Sequence, residues 1–164
     1  MGHLITTAEQ LAEAIVSDPE RVAACVGRIN RFGGQVPNCT VLRHSLEVYH
    51  RIDADPDSSD AARLWALLHD CHEILTGDVV RPYVNARLRM DQWQIDEVIV
   101  RRLGSRVPFA ESRDGQLVSA ADRAVGEFEM LEIGQDRTPY DLCEYAEDSW
   151  TSLVRELITI GGAA

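Results

Sequence analysis

The chain has 164 residues, 45% of them hydrophobic and 26% charged, a balance suited to one ordered domain whose core needs no disulfide or structural metal. A formal net charge of −11 opposes binding to duplex nucleic acid or an anionic bilayer, because both depend on clustered cations. All 16 cationic side chains are arginine, which excludes Schiff-base lysines and lysine-dependent phosphate loops and leaves arginine or metal to bind phosphate.

Cys25, Cys39, Cys71 and Cys143 form no CxxC pair and follow no secretory leader, so a cytosolic protein is expected, in a bacterium or a phage-infected host. The apolar stretches fall short of the ~20 residues a membrane span needs. Thr7 followed by Gln10 reads as a capping box for a helix carrying Leu11, Ala14 and Ile15, and Asp18-Pro19 as the start of a second helix reaching Ile29. RFGGQVPNC, residues 31–39, holds two glycines and a proline and is predicted to be a loop. Thr40 restarts a helix whose apolar stripe of Val41, Leu42, Ser45, Leu46, Val48 and Tyr49 encloses His44. DADPDSSD, residues 53–60, is a solvated turn ending in a cap. The helix after it turns Leu64, Leu67 and Leu68 inward and carries His69 and Asp70 to its buried end. Gly77 breaks that pattern. A long helix is predicted from about Val84 to Leu103, another over residues 115–134 and a last one from about Tyr145 to Ile160. With no repeat, strand pair or long linker, the expectation is a compact all-α single-domain bundle spanning residues 1–164.

The functional signal lies in polar residues on inward faces. His44, His69, Asp70 and Asp122 come from three helices, and a buried imidazole or carboxylate is costly unless it is paired or bound to a cation. In LVSAADRAV, Asp122 follows Ala120 and Ala121, small neighbours that would let another helix approach. Two imidazoles and two carboxylates balance a divalent ion, and the mixed donor set suits manganese, cobalt, zinc or iron better than calcium. HEILT, residues 72–76, begins like a zinc-protease HExxH but lacks the second histidine, which excludes that chemistry.

The spaced set His44, His69-Asp70, Asp122 resembles that of the HD-domain metal-dependent phosphohydrolases. LLHDCHEILTGDVVRP, residues 67–82, is similar to the stretch in small nucleotide-acting members where a glutamate and then Thr-Gly-Asp follow the His-Asp pair. Arg31-Phe32 ahead of LRHSLEV resembles the arginine-aromatic pair that bacterial 5′-deoxynucleotidases place before their first histidine. Together these segments span roughly residues 28–130. The resemblance implies an HD-type bundle, a small-molecule deoxynucleotide substrate and a homo-oligomer. Two subgroups compete: 5′-deoxynucleotidases, which cleave deoxynucleoside monophosphates, and compact phage enzymes, which strip triphosphate from dATP. The short interval from Asp70 to Asp122 looks more like the phage enzymes, so dNTP triphosphohydrolysis with dATP favoured is the first expectation. Phe32 stands where tryptophan is common in both subgroups, and Gly33 and Gly34 offer no bulky side chain to select a base. No Gly-Tyr-Pro segment is present, which disfavours a cyclic dinucleotide phosphodiesterase.

A divalent ion at the four ligands would acidify water, polarise a phosphoryl oxygen and align the two for in-line attack, with room for an additional magnesium ion. Glu73, about one helical turn beyond Asp70, can reach that water as a base, and Asp78 is the second candidate. The resemblance implies that both matter, Glu73 near the attacking water and Asp78 assisting it or protonating the leaving oxygen. Arg31 is the first choice for substrate phosphates and Arg81 the second, while Phe32 could stack on a base. Arg43 and Arg123 adjoin ligands but are expected on other helix faces.

Plainer readings compete. Phe32 can anchor its loop in the core, and Arg31 can form a surface ion pair. His72 is either a hydrogen-bond partner behind the ligands or a partly exposed helix residue. His3 and His50 read as incidental. Trp65, Trp93 and Trp150 read as core or subunit-interface residues, and the apolar last helix offers a surface for self-association. From another function class comes a non-catalytic HD module that binds nucleotide without turnover; Glu73 and Asp78 argue for the enzyme.

Overall fold

Side-chain caps set most of the helix starts. The computed structural model describes residues 4–140 and 145–160, apart from the side chain of Arg81, so His3 and Cys143 lie outside the described residues. The helices are α1 (Ala8–Ser17), α2 (Pro19–Val26), α3 (Val41–Asp53), α4 (Asp60–Leu68), α5 (Glu73–Thr76), α6 (Ala86–Leu103), α7 (Arg113–Gly134) and α8 (Ala146–Ile160). Thr7, Thr40, Ser59, Asn85 and Ser112 each accept a backbone N–H of the first turn that follows, satisfying a donor the helix cannot. Thr7 and Gln10 behave nearly as a capping box, except that Gln10 reaches back to the N–H of Thr6.

Two boundaries differ from the sequence reading for identifiable reasons. α2 stops at Val26, short of Ile29, because the chain there turns extended: Asn30 and Thr40 form an antiparallel bridge, flanked by Arg31 N–H to Cys39 O at 2.8 Å and Val41 N–H to Ile29 O at 2.9 Å. These bonds tie the ends of the 31–39 loop together. α7 begins at Arg113, ahead of Gly115, because Ser112 supplies the cap. Among the described residues no strand forms beyond that isolated bridge.

One connected apolar cluster runs through the bundle. α4 sits at its centre, packed on α3, α7 and α8, while α1 packs on α6 and α2, and α2 on α8. Leu64, Leu67 and Leu68 of α4 are fully buried, as are Leu42 and Ile52 of α3 and Val154 of α8. Each aliphatic side chain buried in this way contributes about 1.5–3 kcal/mol. Trp150 is buried in this core and donates its indole N–H to Leu67 O at 3.1 Å, satisfying one of the last carbonyls of α4 just before His69.

Two expectations about surfaces change, and one, Trp93 as a core or subunit-interface residue, narrows to an exposed position. α8 turns Trp150, Val154 and Leu157 into the core, so its apolar face is largely covered. Trp93 stands 55% exposed on α6, outside the core, while Trp65 is partly buried. Ala120, read as an inward neighbour of Asp122, is exposed. No helix among the described residues is long and apolar enough to cross a membrane.

Candidate metal centre

His44 lies in the first turn of α3, where the Thr40 cap starts the helix and the apolar stripe carries the ring inward; it is fully buried. His69 is the C-cap of α4, and Asp70 follows it in the turn leading to α5. Asp122 projects from the middle of α7, which packs on both α3 and α4. The three segments meet at one point. His44 Nε2 is 3.0 Å from Asp122 Oδ1 and 3.7 Å from Asp70 Oδ2. His69 Nε2 is 3.4 Å from the same oxygen of Asp70 and 3.9 Å from that of Asp122. Donors bound to one ion at about 2.1 Å stand ~3.0–3.4 Å apart; ligand atoms of His44, His69 and Asp70 lie within 4.8 Å of one another, a group that could hold a divalent cation, and Asp122 Oδ1 approaches both imidazoles from α7.

The tautomers point the same way. His44 Nδ1 is 3.0 Å from the Glu129 carboxylate, and His69 Nδ1 is 2.9 Å from the Ala66 carbonyl. Neither oxygen can donate, so each Nδ1 carries a proton; His44 Nε2, 3.0 Å from Asp122 Oδ1, carries one too in the metal-free protein, and both Nε2 atoms face the shared space. His69 Nε2 is buried and makes no hydrogen bond among the described residues. A buried acceptor without a donor, beside two carboxylates, is what a cation ligand looks like.

Charges across the cluster are strongly coupled. Burial alone would depress His44, but hydrogen bonds to Asp122 and Glu129 outweigh it and raise its pKa to about 9. Burial opposes ionisation of Asp70, yet His69, His44 and Arg31 together hold its carboxyl well below the usual range. Asp122 and Glu129 are lowered too, against burial, chiefly by their hydrogen bonds to His44. The site therefore keeps its carboxylates ionised, as a cation needs.

Glu73 and Asp78 differ from this set. Glu73, at the start of α5, is 7% exposed; burial, then the charges of Asp70 and Asp78, push its pKa up to about 8. Asp78 is also raised, by burial first, against Arg31 and the approaching backbone N–H of Gly33. Glu73 Oε2 and Asp78 Oδ2 are both buried without a hydrogen-bond partner among the described residues. Each carboxyl thus has one unpaired oxygen beside the cluster, and Glu73 becomes a proton acceptor as it ionises, around pH 8. Ligand atoms of Asp70, His72 and Glu73 also lie within 4.8 Å of one another, forming a second acidic group on the α5 side.

Arg31 is neither a surface residue nor free. Its side chain is 14% exposed and bridges Asp70 at 3.3 Å and Glu129 at 3.1 Å, so it neutralises the acidic cluster from the loop side. The guanidinium carbon also lies 5.6 Å from the centre of the Phe32 ring. Phe32 is half-buried and takes φ 57°, leading into Gly33 at 63° and Gly34 at 75°. A bulky side chain in this left-handed region is strained, and such strain recurs where a loop must present a residue to a site.

Beside the cluster opens a cavity of about 610 Å³, a size typical of small-molecule sites. Arg31, Asp78 and Asp122 face it from the cluster side; Phe32, Val79, Val80, Pro82 and Met130 form apolar walls; Arg123, Gly126 and Glu127 continue along α7. Arg123, expected on another face of its helix, is thus part of the lining. Arg81 belongs to the turn Arg81–Tyr83 that borders this region, but its side chain lies outside the described residues.

The sequence reading missed Glu129, Tyr140 and Asp96. Glu129 is fully buried and receives His44, Arg31 and the Tyr140 hydroxyl. The signal was available: Asp122, Val125 and Glu129 are spaced 3 and 4 apart, one inward stripe of α7. Asp96 pairs with His72 Nδ1 at 3.0 Å, so His72 is a buried, bonded residue; burial would lower it, but Asp96 raises it to about 9. Neither a scan of protein-family models nor a search of curated proteins returns a match for this chain.

Proposed function

We propose that this chain is a metal-dependent phosphohydrolase of the HD-domain type acting on deoxynucleotides, with triphosphate release from dNTPs, dATP favoured, as the leading reaction. The observation that carries the reading is the placing of Asp70 and Asp122 oxygens 3.0–3.9 Å from the Nε2 atoms of His44 and His69, beside a cavity of about 610 Å³. A divalent ion held there would supply Lewis acidity to a phosphoryl oxygen and acidity to water. Glu129 and the Ala66 carbonyl hold the two imidazoles in the tautomer that ligation requires. The unpaired Oε2 of Glu73 accepts the proton of the attacking water, and Asp78 holds or returns a proton at the leaving oxygen. Arg31 offsets negative charge behind the cluster, and Phe32 offers a ring face to the base. The proposal includes a cytosolic homo-oligomer; exposed Met90 and Trp93, one turn apart on α6, support a subunit contact.

One observation favours a second reading, a 5′-deoxynucleotidase. Arg31 is committed to Asp70 and Glu129, which leaves Arg123 as the other cation on the described lining, suited to a short phosphate chain. Product chromatography decides between the two. Metal-stripped protein, reloaded with manganese, cobalt, zinc or magnesium, is incubated with each deoxynucleoside mono- and triphosphate and the matching ribonucleotides. Triphosphate release supports the first reading and phosphate release from monophosphates alone the second. Nucleotide binding without turnover by folded, metal-loaded protein makes the chain a binding module. Asp70→Ala is expected to abolish turnover; unchanged hydrolysis by the folded variant defeats the site.

A further inference from the structure

Gly126 stands inside α7, which runs unbroken from Arg113 to Gly134, and glycine is the poorest helix former apart from proline. Its φ lies outside the left-handed region, so the backbone does not require it. Nor does packing: a Cβ built there meets nothing within 4 Å. Gly115, earlier on the same helix, shows the contrast, since a Cβ there would lie 2.3 Å from Phe109 O. Open space at Gly126 is the cavity itself, which this residue lines.

Asp122, Gly126 and Met130 follow one another at intervals of four along that wall. Each step advances about 6 Å along the helix, placing Met130 about 12 Å beyond the metal-ligand position. One end of the strip is a carboxylate of the candidate metal centre, the other an apolar thioether, with bare backbone between. A nucleotide has the same order: phosphate, sugar, base.

We propose that Gly126 is the sugar-contact position of the nucleotide site, its missing side chain leaving a flat strip of α7 against which the deoxyribose ring packs. The phosphates lie towards Asp122 and Arg123, and the base lies between Met130 and the walls opposite. This rests on the deoxynucleotide reading above. It makes Gly126 a specificity-determining residue kept at a cost to helix stability, and it accounts for a glycine that neither conformation nor packing demands.

The test compares metal-loaded wild type with Gly126→Ala, Gly126→Leu and the control Gly134→Ala, the last changing a glycine at the end of α7 that also meets nothing within 4 Å. Each is titrated calorimetrically with cobalt after metal stripping and, once cobalt-loaded, with deoxynucleoside mono- and triphosphates and with inorganic triphosphate, and each is melted. Deoxynucleotide affinity is expected to fall about tenfold in Gly126→Ala and about a hundredfold in Gly126→Leu. Cobalt and inorganic triphosphate should bind as before, and the melting temperature should rise in both alanine variants. Deoxynucleotide binding by Gly126→Leu within about threefold of wild type overturns the role of Gly126 while leaving the deoxynucleotide reading intact. A parallel loss of inorganic triphosphate also overturns it, by moving the contact to the phosphates. Wild type that binds inorganic triphosphate but no nucleotide overturns both.

Discussion

Replacing Glu129 by glutamine removes one charge from the least accessible point of the cluster while keeping the side chain's shape. Four donors converge there: His44 Nδ1 at 3.0 Å, Arg31 at 3.1 Å, the Tyr140 hydroxyl and, at 3.9 Å, the Cys39 thiol. The amide oxygen can still accept from one of them, but its NH2 group must face another donor. Arg31 keeps Asp70 at 3.3 Å, so its charge is not fully stranded. Removing one partner of a buried pair costs ~3–5 kcal/mol, and with Asp70 still in place ~3 kcal/mol of unfolding free energy is the expected loss. The same change weakens the bond that orients His44, and lost support behind a metal ligand lowers affinity about 10–100-fold, ~1.4–2.7 kcal/mol. Urea unfolding followed by circular dichroism reads the first quantity, and competition with a chromophoric chelator for cobalt reads the second. Unfolding midpoint and cobalt affinity both unchanged in Glu129→Gln would refute the role assigned to this carboxylate.

Gly115→Ala should destabilise by ~1–3 kcal/mol, because the new Cβ would lie 2.3 Å from Phe109 O and 2.7 Å from Ala110 O, both backbone atoms; an unchanged melting temperature counts against that close approach. Glu73→Gln should lower kcat about 10²–10⁴-fold while cobalt still binds, and loss of cobalt instead of turnover would reassign Glu73 to ligation. Because the folded pKa of Glu73 is about 8 against 4.5 for a free glutamate, the stability cost of its burial builds as pH rises from about 4.5 to about 8 and is fully present above that. The glutamine variant should therefore melt higher than wild type at pH 8, and a lower melting point contradicts the unpaired burial. His44 has the opposite sign: its pKa of about 9 exceeds the ~6.5 of an unfolded histidine, so its stabilisation of metal-stripped protein is complete below pH 6.5 and lost as pH passes about 9. Cobalt must displace that proton, so affinity should climb with pH up to about 9 with proton uptake by weak buffer; a flat profile removes His44 from the ligand set.

Much of the fold was legible because it depends on local rules. Thr40, Ser59 and Asp18-Pro19 announce helix starts, and Gly77 at φ 73° announces a break. His44 and the His69-Asp70 pair stood out because apolar neighbours on both sides left them nowhere to go but inward. What stayed hidden depends on which side of a helix meets which neighbour. α7 has a weak apolar stripe, so neither the buried Glu129 nor the cavity-lining Arg123 could be assigned a face from periodicity alone. Arg31 was assigned to the site by its position in the chain, whereas its ion pairs with Asp70 and Glu129, residues 39 and 98 positions away, follow no local rule. His72 could not be settled until Asp96, from another helix, was seen beside it.

The most direct test of the central claim is an anomalous difference map from crystals of cobalt-loaded protein, recorded at the cobalt edge. The expected result is a peak about 2.0–2.2 Å from His44 Nε2, His69 Nε2, Asp70 and Asp122, lost in Asp122→Ala. Cobalt bound only elsewhere, or no bound cobalt in protein whose four side chains keep these positions, would contradict it.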